Sequence, residues 1–110
     1  MNKYHNRKTT LDGITYDSRR EAERSIELRL MERAGEITDL RRQVRYEIIP
    51  TLYVDGKVAE RKTVYVADFV YTDRKTGETV VEDVKGVRTK EYTLKRKLML
   101  EKHGIQIREI

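Results

Sequence analysis

The chain has 110 residues, the size of one domain, with 39% charged and 37% hydrophobic residues. Cysteine is absent, which excludes disulfide bridges and thiolate zinc sites. No stretch approaches the roughly 20 apolar residues of a membrane span and no signal-peptide pattern opens the chain, so we expect a cytoplasmic protein without a membrane partner. Because the hydrophobic fraction is low, we expect a single domain over residues 1–110 with a thin core, and a homodimer that covers exposed apolar surface.

The net charge is +5, and it is distributed unevenly. Residues 46–84 hold five Lys or Arg against eight Asp or Glu, whereas residues 85–103 hold seven against two. An acidic segment followed by a basic one suits a protein that binds a cation in one place and a polyanion in another. A solvated charged surface gives the same pattern, so charge alone does not decide between them.

The N-terminal part predicts a hairpin and a helix. We expect the first eight residues, which are polar, to be mobile. Asp12-Gly13 stands between two short β-forming stretches and predicts a hairpin turn. Ser18 and Glu21 match the S-x-x-E capping box, which predicts a helix that ends at Gly35. The predicted apolar stripe of this helix is Ala22, Ile26, Leu30 and Ala34, with Leu28 and Met31 beside it.

Strand-forming residues dominate the centre of the chain. We predict strands at Val44–Ile49, Thr51–Val54, Thr63–Tyr71 and Thr79–Lys85, with a further strand that begins near Arg61 after a turn at Asp55-Gly56. Thr63–Tyr71 is apolar on both faces, so it should be central and covered on both sides. Its connection to the next strand is a turn over residues 73–77.

The C-terminal part predicts a basic helix, opened by Thr89 or Thr93 and running to about His103, and then an alternating strand at Ile105–Ile110. The predicted order is therefore hairpin, helix, three or four strands, helix and strand. This order makes the fold α/β, with one mixed central sheet and helices packed on it. The inner side of the second helix is predicted to carry Leu94 and Leu98.

Two carboxylates interrupt the apolar strands. Asp68 shares one face of its predicted strand with three valines, and a buried carboxylate without a partner costs of order 3–5 kcal/mol. Asp83 and Lys85 share one face of the next strand. If the two strands form a hairpin, Asp68 and Asp83 come close together.

Two close carboxylates repel one another unless a cation lies between them, and Mg²⁺ is a hard cation that prefers oxygen ligands. Such an ion polarises a phosphate oxygen and lowers the pKa of a bound water. Lys85 beside it could orient that water or neutralise charge that develops on the phosphate. These residue types indicate phosphodiester hydrolysis.

Each candidate also has a structural alternative. Asp83 and Lys85 could form an ion pair near a strand end, and Asp68 could cap a backbone turn. Glu21 could serve only the capping box. Glu82 lies on the face opposite Asp83, and a one-residue register error or bulge would exchange the two.

Asp68 followed by Asp83-Val84-Lys85 resembles the motif of the PD-(D/E)XK nuclease superfamily, an acid on one strand and acid-x-lysine on the next. Ala67 stands where the family often has proline. Glu21 looks like the helix glutamate that many members place before the motif, and the predicted element order is similar to the restriction-endonuclease-like core. By this resemblance Glu21, Asp68 and Asp83 bind Mg²⁺ or Mn²⁺, and Lys85 is the catalytic lysine.

More closely, the chain resembles a family of short phage and prophage proteins of unassigned function, through segments such as Asp12-Gly13-Ile14, Ala67-Asp68-Phe69 and Val81-Glu82-Asp83-Val84-Lys85-Gly86. Its motif layout is also similar to archaeal-type Holliday junction resolvases and transposon-end nucleases. The resemblance implies a phage-encoded, metal-dependent DNA endonuclease that is selective for branched DNA and acts as a dimer in the host cytoplasm.

Two other functions stay open at this point. One is a nicking, end-processing or transposon-like nuclease of the same chemistry, and the other is a non-catalytic module that only binds nucleic acid. The sequence does not decide between DNA and RNA. The basic residues expected to hold phosphates are Lys8, Arg19, Arg20, Arg88, Lys90, Lys95, Arg96 and Lys97.

Overall fold

The computed structural model describes residues 7–84 and 88–110. The expectation of a mobile start falls largely on residues 1–6, and the predicted place of Lys85 falls on residues 85–87, so both lie outside the described residues. The elements in chain order are β1 (Thr9–Leu11), β2 (Ile14–Tyr16), α1 (Arg19–Arg33), β3 (Ile37–Ile49), β4 (Leu52–Val54), β5 (Lys57–Glu60), β6 (Thr63–Asp73), β7 (Thr79–Asp83), α2 (Lys90–His103) and β8 (Arg108–Glu109).

The central sheet has four strands in the order β3-β6-β7-β8, and β1-β2 and β4-β5 form two small sheets of their own. Strands β7 and β8 run parallel, with Asp83 opposite Glu109, whereas β6 and β7 are joined by a turn too short for anything but an antiparallel pair. The predicted α/β fold with a mixed sheet and two helices is therefore confirmed. Neither described helix combines the length and the apolar character that a membrane crossing requires.

Strand β3 is longer than its prediction, which covered only Val44–Ile49. The missed half contains Asp39 and two consecutive arginines, a composition with low strand propensity. Asp39 and Gln43 have φ of 55° and 52°, so the strand is irregular at both positions.

The described residues divide into two compact units, residues 7–40 with 71–80 (unit one) and residues 41–70 with 81–84 and 88–110 (unit two). Nothing in this division tests the prediction of one domain, which stays a prediction.

In unit one, the predicted hairpin and helix form as expected. Asp12 and Gly13 have φ of 51° and 78°, which is the backbone of a type I′ turn. The Ser18 hydroxyl accepts a hydrogen bond from the Glu21 N–H at 3.1 Å, so the capping half of the predicted box is confirmed. The hydroxyls of Tyr16 and Ser25 share a buried hydrogen bond of 2.8 Å, which ties the hairpin to the helix.

The buried face of α1 differs from its prediction. Leu28 is fully buried, while Ile26 and Leu30 of the predicted stripe are 40% and 57% exposed. The observed face consists of Glu21, Ala22, Ser25 and Leu28. Because two of these side chains are polar, hydrophobic spacing could not identify the face.

Unit two has a core of Ile48, Tyr65, Ala67, Val70, Val81, Tyr92, Met99 and Ile107. Helix α2 begins after Thr89, whose hydroxyl accepts from the Tyr92 N–H at 3.0 Å, and it ends at Gly104 with φ of 66°. Its buried residues are Tyr92 and Met99, so the placement of Leu94 on the inner side is wrong. Leu98, by contrast, packs against this core as a partly buried residue.

We predict that Leu28→Ala and Leu30→Ala differ sharply in stability. Leu28→Ala should lower the free energy of unfolding by roughly 2–5 kcal/mol because it leaves a cavity in a closed core. Leu30→Ala, on the exposed side of the same helix, should change it by less than about 0.5 kcal/mol. Urea unfolding followed by far-UV circular dichroism measures both, and equal losses would contradict the observed helix face.

Candidate active site

The sequence-predicted site residues lie in different parts of the structure. Asp68 is in the middle of β6 and Asp83 ends β7, and both belong to unit two. Glu21 lies in the first turn of α1 in unit one, where it is only 3% exposed. Lys85 lies outside the described residues.

Asp68 is half-buried, and its Oδ2 accepts a hydrogen bond from the Val84 N–H at 2.7 Å. This bond places the Asp68 carboxylate directly beside the backbone that follows Asp83. Asp68 therefore has a backbone partner, although this partner follows a strand and is not part of a described turn. This hydrogen bond does not compete with a metal site, because a carboxylate offers about four lone-pair positions.

Asp83 is fully buried, and its Oδ2 accepts a hydrogen bond from the Tyr65 hydroxyl. Val81, two residues before it on the same face of β7, belongs to the core that contains Tyr65 and Tyr92. Asp83 therefore faces this core. Glu82, also fully buried, lies on the other face of β7.

Strand β6 is continuous from Thr63 to Asp73, and its burial alternates through Asp68: Tyr65, Ala67 and Phe69 are buried, whereas Val66 and Asp68 are half-buried. By this alternation Asp68 lies on the face opposite Tyr65. Because the Tyr65 hydroxyl contacts Asp83, the same alternation gives Asp68 the face of Glu82 and not that of Asp83.

Burial raises the pKa of the Tyr65 hydroxyl, and its hydrogen bond to Asp83 and the negative charges of Asp83 and Asp68 raise it further. Tyr65 therefore stays protonated and remains a hydrogen-bond donor throughout the ordinary range of pH. Both predicted carboxylates therefore contribute to the raised pKa of this hydroxyl, Asp83 more than Asp68.

A second tyrosine extends this network. The Tyr92 hydroxyl donates to Glu109 Oε2 at 2.7 Å, and Glu109 also pairs with Arg96 at 3.3 Å and with Arg88 at 2.5 Å. Burial raises the pKa of Tyr92, and its hydrogen bond to Glu109 adds to this rise. The sequence analysis missed Tyr65 and Glu109, because a tyrosine in a strand and a glutamate in an alternating segment carry no functional signal by themselves.

The predicted nucleic-acid-binding residues fall into two groups. Several are in ion pairs within the structure: Arg19 with Glu23, Lys95 with Glu91, and Arg88 and Arg96 with Glu109. Lys8, Arg20, Lys90 and Lys97 are exposed. An open cavity of about 340 Å³ is lined by Arg88, Thr89, Lys90, Thr93, Leu94 and Lys97.

The predicted carboxylate ligands can be compared with the coordination that a metal ion requires. In the described part of the chain, no group of three or more His, Cys, Asp or Glu side chains is arranged to hold one. Mg²⁺ does not require such a cage, since it commonly takes one or two protein carboxylates and completes its octahedron with waters and substrate phosphates. Asp68 with one neighbouring acid fits that requirement in number and in ligand type.

We predict that Glu109 makes stability fall in acid. The pKa of Glu109 is lowered chiefly by the hydrogen bond that it accepts from Tyr92, and the arginines beside it lower it further. It therefore lies below the pKa of an ordinary glutamate, which is about 4.3. The stabilisation is therefore fully present above pH 5 and is lost as the pH falls through the lowered value. Urea midpoints should differ between wild type and Glu109→Gln at pH 7, and this difference should shrink as the pH falls below about 4.3. Glu101→Gln, on exposed α2 surface, is the control, and a difference for Glu109→Gln that stays the same as the pH falls would contradict the assignment.

Comparison with known proteins gives one match. No curated protein and no solved structure is significantly similar to the chain. Residues 1–109 match the family described as "Protein of unknown function (DUF1064)". The match spans nearly the entire sequence, from the N-terminal segment through β8. The chain therefore belongs to the DUF1064 family.

Proposed function

We propose that this protein is a divalent-metal-dependent endonuclease that hydrolyses phosphodiester bonds in DNA. The observation that carries the proposal is the hydrogen bond from Val84 N–H to Asp68 Oδ2. It brings a half-buried carboxylate of β6 beside the end of β7, where Glu82 and Asp83 lie. An acid on one strand beside acid-x-lysine on the next is the arrangement of the PD-(D/E)XK nucleases.

Asp68 is one metal ligand in this proposal, and the second comes from the adjacent pair Glu82-Asp83. Asp83 matches the acid-x-lysine spacing, and Tyr65 holds its carboxylate in place. Glu82 is the alternative, because strand alternation gives it the same face as Asp68. Lys85 is the catalytic lysine, as the family resemblance implies. The role of Glu21 as a further ligand, which the same resemblance implies, stays a prediction of the sequence.

The metal ion and the residues around it have different roles in this proposal. Bound Mg²⁺ or Mn²⁺ supplies an electrophile for a phosphate oxygen and lowers the pKa of water. The carboxylates hold the ion and fix the reacting phosphate relative to it. The Lys85 ammonium neutralises charge that builds on the phosphate. Tyr65, a permanent donor, keeps the buried Asp83 carboxylate in one orientation.

The basic cavity supports a polyanionic substrate. It carries three cations and two threonine hydroxyls, and these groups suit contacts to a phosphate backbone. Arg88 is also paired with Glu109, whereas Lys90 and Lys97 have no carboxylate partner within the described residues. Lys90 and Lys97 are therefore the cations best placed to bind phosphate.

We further propose branched DNA as the substrate, with the protein acting as a phage-encoded Holliday junction resolvase in the host cytoplasm. The basic second helix and a motif layout similar to that of archaeal-type Holliday junction resolvases support this substrate. A nicking, end-processing or transposon-like activity would use the same residues. A module that only binds nucleic acid would need none of the acids.

We predict divalent-dependent cleavage. Purified protein should cut four-way junction, flap, nicked or linear DNA with Mg²⁺ or Mn²⁺ and leave all of them intact with EDTA. Asp68→Asn and Lys85→Met should lower the rate by at least about a hundredfold, because each removes a group needed at the reacting phosphate. Symmetric cuts in the junction alone would select the resolvase.

Paired variants identify the second ligand. Glu82→Gln and Asp83→Asn keep shape and remove charge, so the one that abolishes cleavage while leaving DNA binding intact is the ligand. Full activity in both variants, or no cleavage of any DNA with metal present, would refute the nuclease proposal.

We predict that Lys97, unlike Lys95, contacts phosphate. Lys97→Gln should reduce the slope of log affinity against log salt concentration by about 1, because one counterion-releasing contact is lost. Lys95→Gln, on the same helix but already paired with Glu91, should leave the slope unchanged. Fluorescence anisotropy with labelled DNA, in EDTA, measures both. Equal slopes for Lys97→Gln and wild type would exclude the cavity as the contact.

A further inference from the structure

The hairpin β4–β5 forms a two-stranded sheet of its own, and every residue of both strands is exposed. Its four large apolar side chains, Leu52, Tyr53, Val54 and Val58, are between 46% and 64% exposed. A lone two-stranded hairpin is at best marginally stable in water. Exposed apolar side chains concentrated in so short a segment are typical of an interaction surface.

The two faces of the hairpin differ in composition. Residues directly opposite one another in a ladder share a face, and the register pairs Val54 with Lys57, Tyr53 with Val58, and Leu52 with Glu60. An irregularity between Leu52 and Tyr53 keeps Glu60 on the Leu52 side. One face, here the mixed face, therefore holds Leu52, Val54, Lys57 and Glu60. The other holds Tyr53 and Val58.

The mixed face is self-complementary. Lys57 stands at its turn end and Glu60 at its opposite end, with Leu52 and Val54 alongside. When two copies of this face meet about a two-fold axis with their strands antiparallel, Leu52 of one copy meets Val54 of the other, and each Lys57 meets a Glu60. Among the residues that the structure describes, 7–84 and 88–110, neither Lys57 nor Glu60 has an ion-pair partner.

We propose that the mixed face of the β4–β5 hairpin binds the same face of a second copy of this chain, as the contact of a homodimer. A nucleic acid is a poorer fit, because the single cation of this face is balanced by Glu60. The contact is smaller than the roughly 1,200 Å² of stable complexes, so the dimer exchanges with monomer and its population depends on concentration. The inference does not depend on the proposed nuclease activity.

The test is sedimentation equilibrium of the full chain over a concentration series. Wild type should show reversible dimerisation. Val54→Lys should weaken it by about tenfold or more, because it buries an unpaired charge in the contact. Val58→Lys places the same charge on the other face of the hairpin and should leave dimerisation unchanged. Monomeric wild type at the highest soluble concentration, or equal weakening by both variants, would overturn the proposal.

Charge reversal makes the test independent of folding defects. Lys57→Glu and Glu60→Lys should each weaken self-association, because each creates like-charge contacts across the two-fold axis. The double variant should dimerise as wild type does, and an equimolar mixture of the two single variants should form a heterodimer. Far-UV circular dichroism confirms that every variant is folded. Failure of both the double variant and the mixture to associate would exclude this pairing.

Discussion

In unit two, hydrogen-bond donors meet the carboxylates of Asp83 and Asp68. Asp83 accepts from the Tyr65 hydroxyl, and Asp68 accepts from the Val84 backbone. A carboxylate without such a partner would cost more than a chain with this small a hydrophobic fraction could offset. The tyrosines therefore do two things at once, since their rings fill the core and their hydroxyls orient the acids.

The same tyrosines connect the core to the basic surface. The ring of Tyr92 packs in the core, and its hydroxyl donates a hydrogen bond to Glu109. Glu109 in turn forms ion pairs with Arg88 and Arg96. Arg88 also lines the cavity beside the start of α2. Buried acids and a cation-lined cavity thus belong to one connected arrangement of unit two. The proposed metal and phosphate contacts both draw on this arrangement.

Local signals predicted the local structure well. The Asp12-Gly13 turn, the Ser18 and Thr89 caps and the Gly104 stop all appear where short-range chemistry places them. Helix faces were predicted less well, because Ser25 is buried through a hydrogen bond with Tyr16 and Leu30 is exposed. Hydrophobic spacing cannot detect a polar residue whose partner comes from another element. The first half of β3 was missed because its charged residues resemble a loop.

By itself the sequence determined the order of elements, the mixed sheet and the positions of Asp68 and Asp83 on neighbouring strands, because turns, caps and strand alternation act over a few residues. The tertiary structure alone decided which donors hold these acids and which face of α1 and α2 is buried. It also decided that Asp83 meets the core through Tyr65, on which the choice between Glu82 and Asp83 depends. That core is built from residues distant in sequence, such as Tyr65 and Met99. No local pattern predicts such a contact, because it depends on how separate elements pack together.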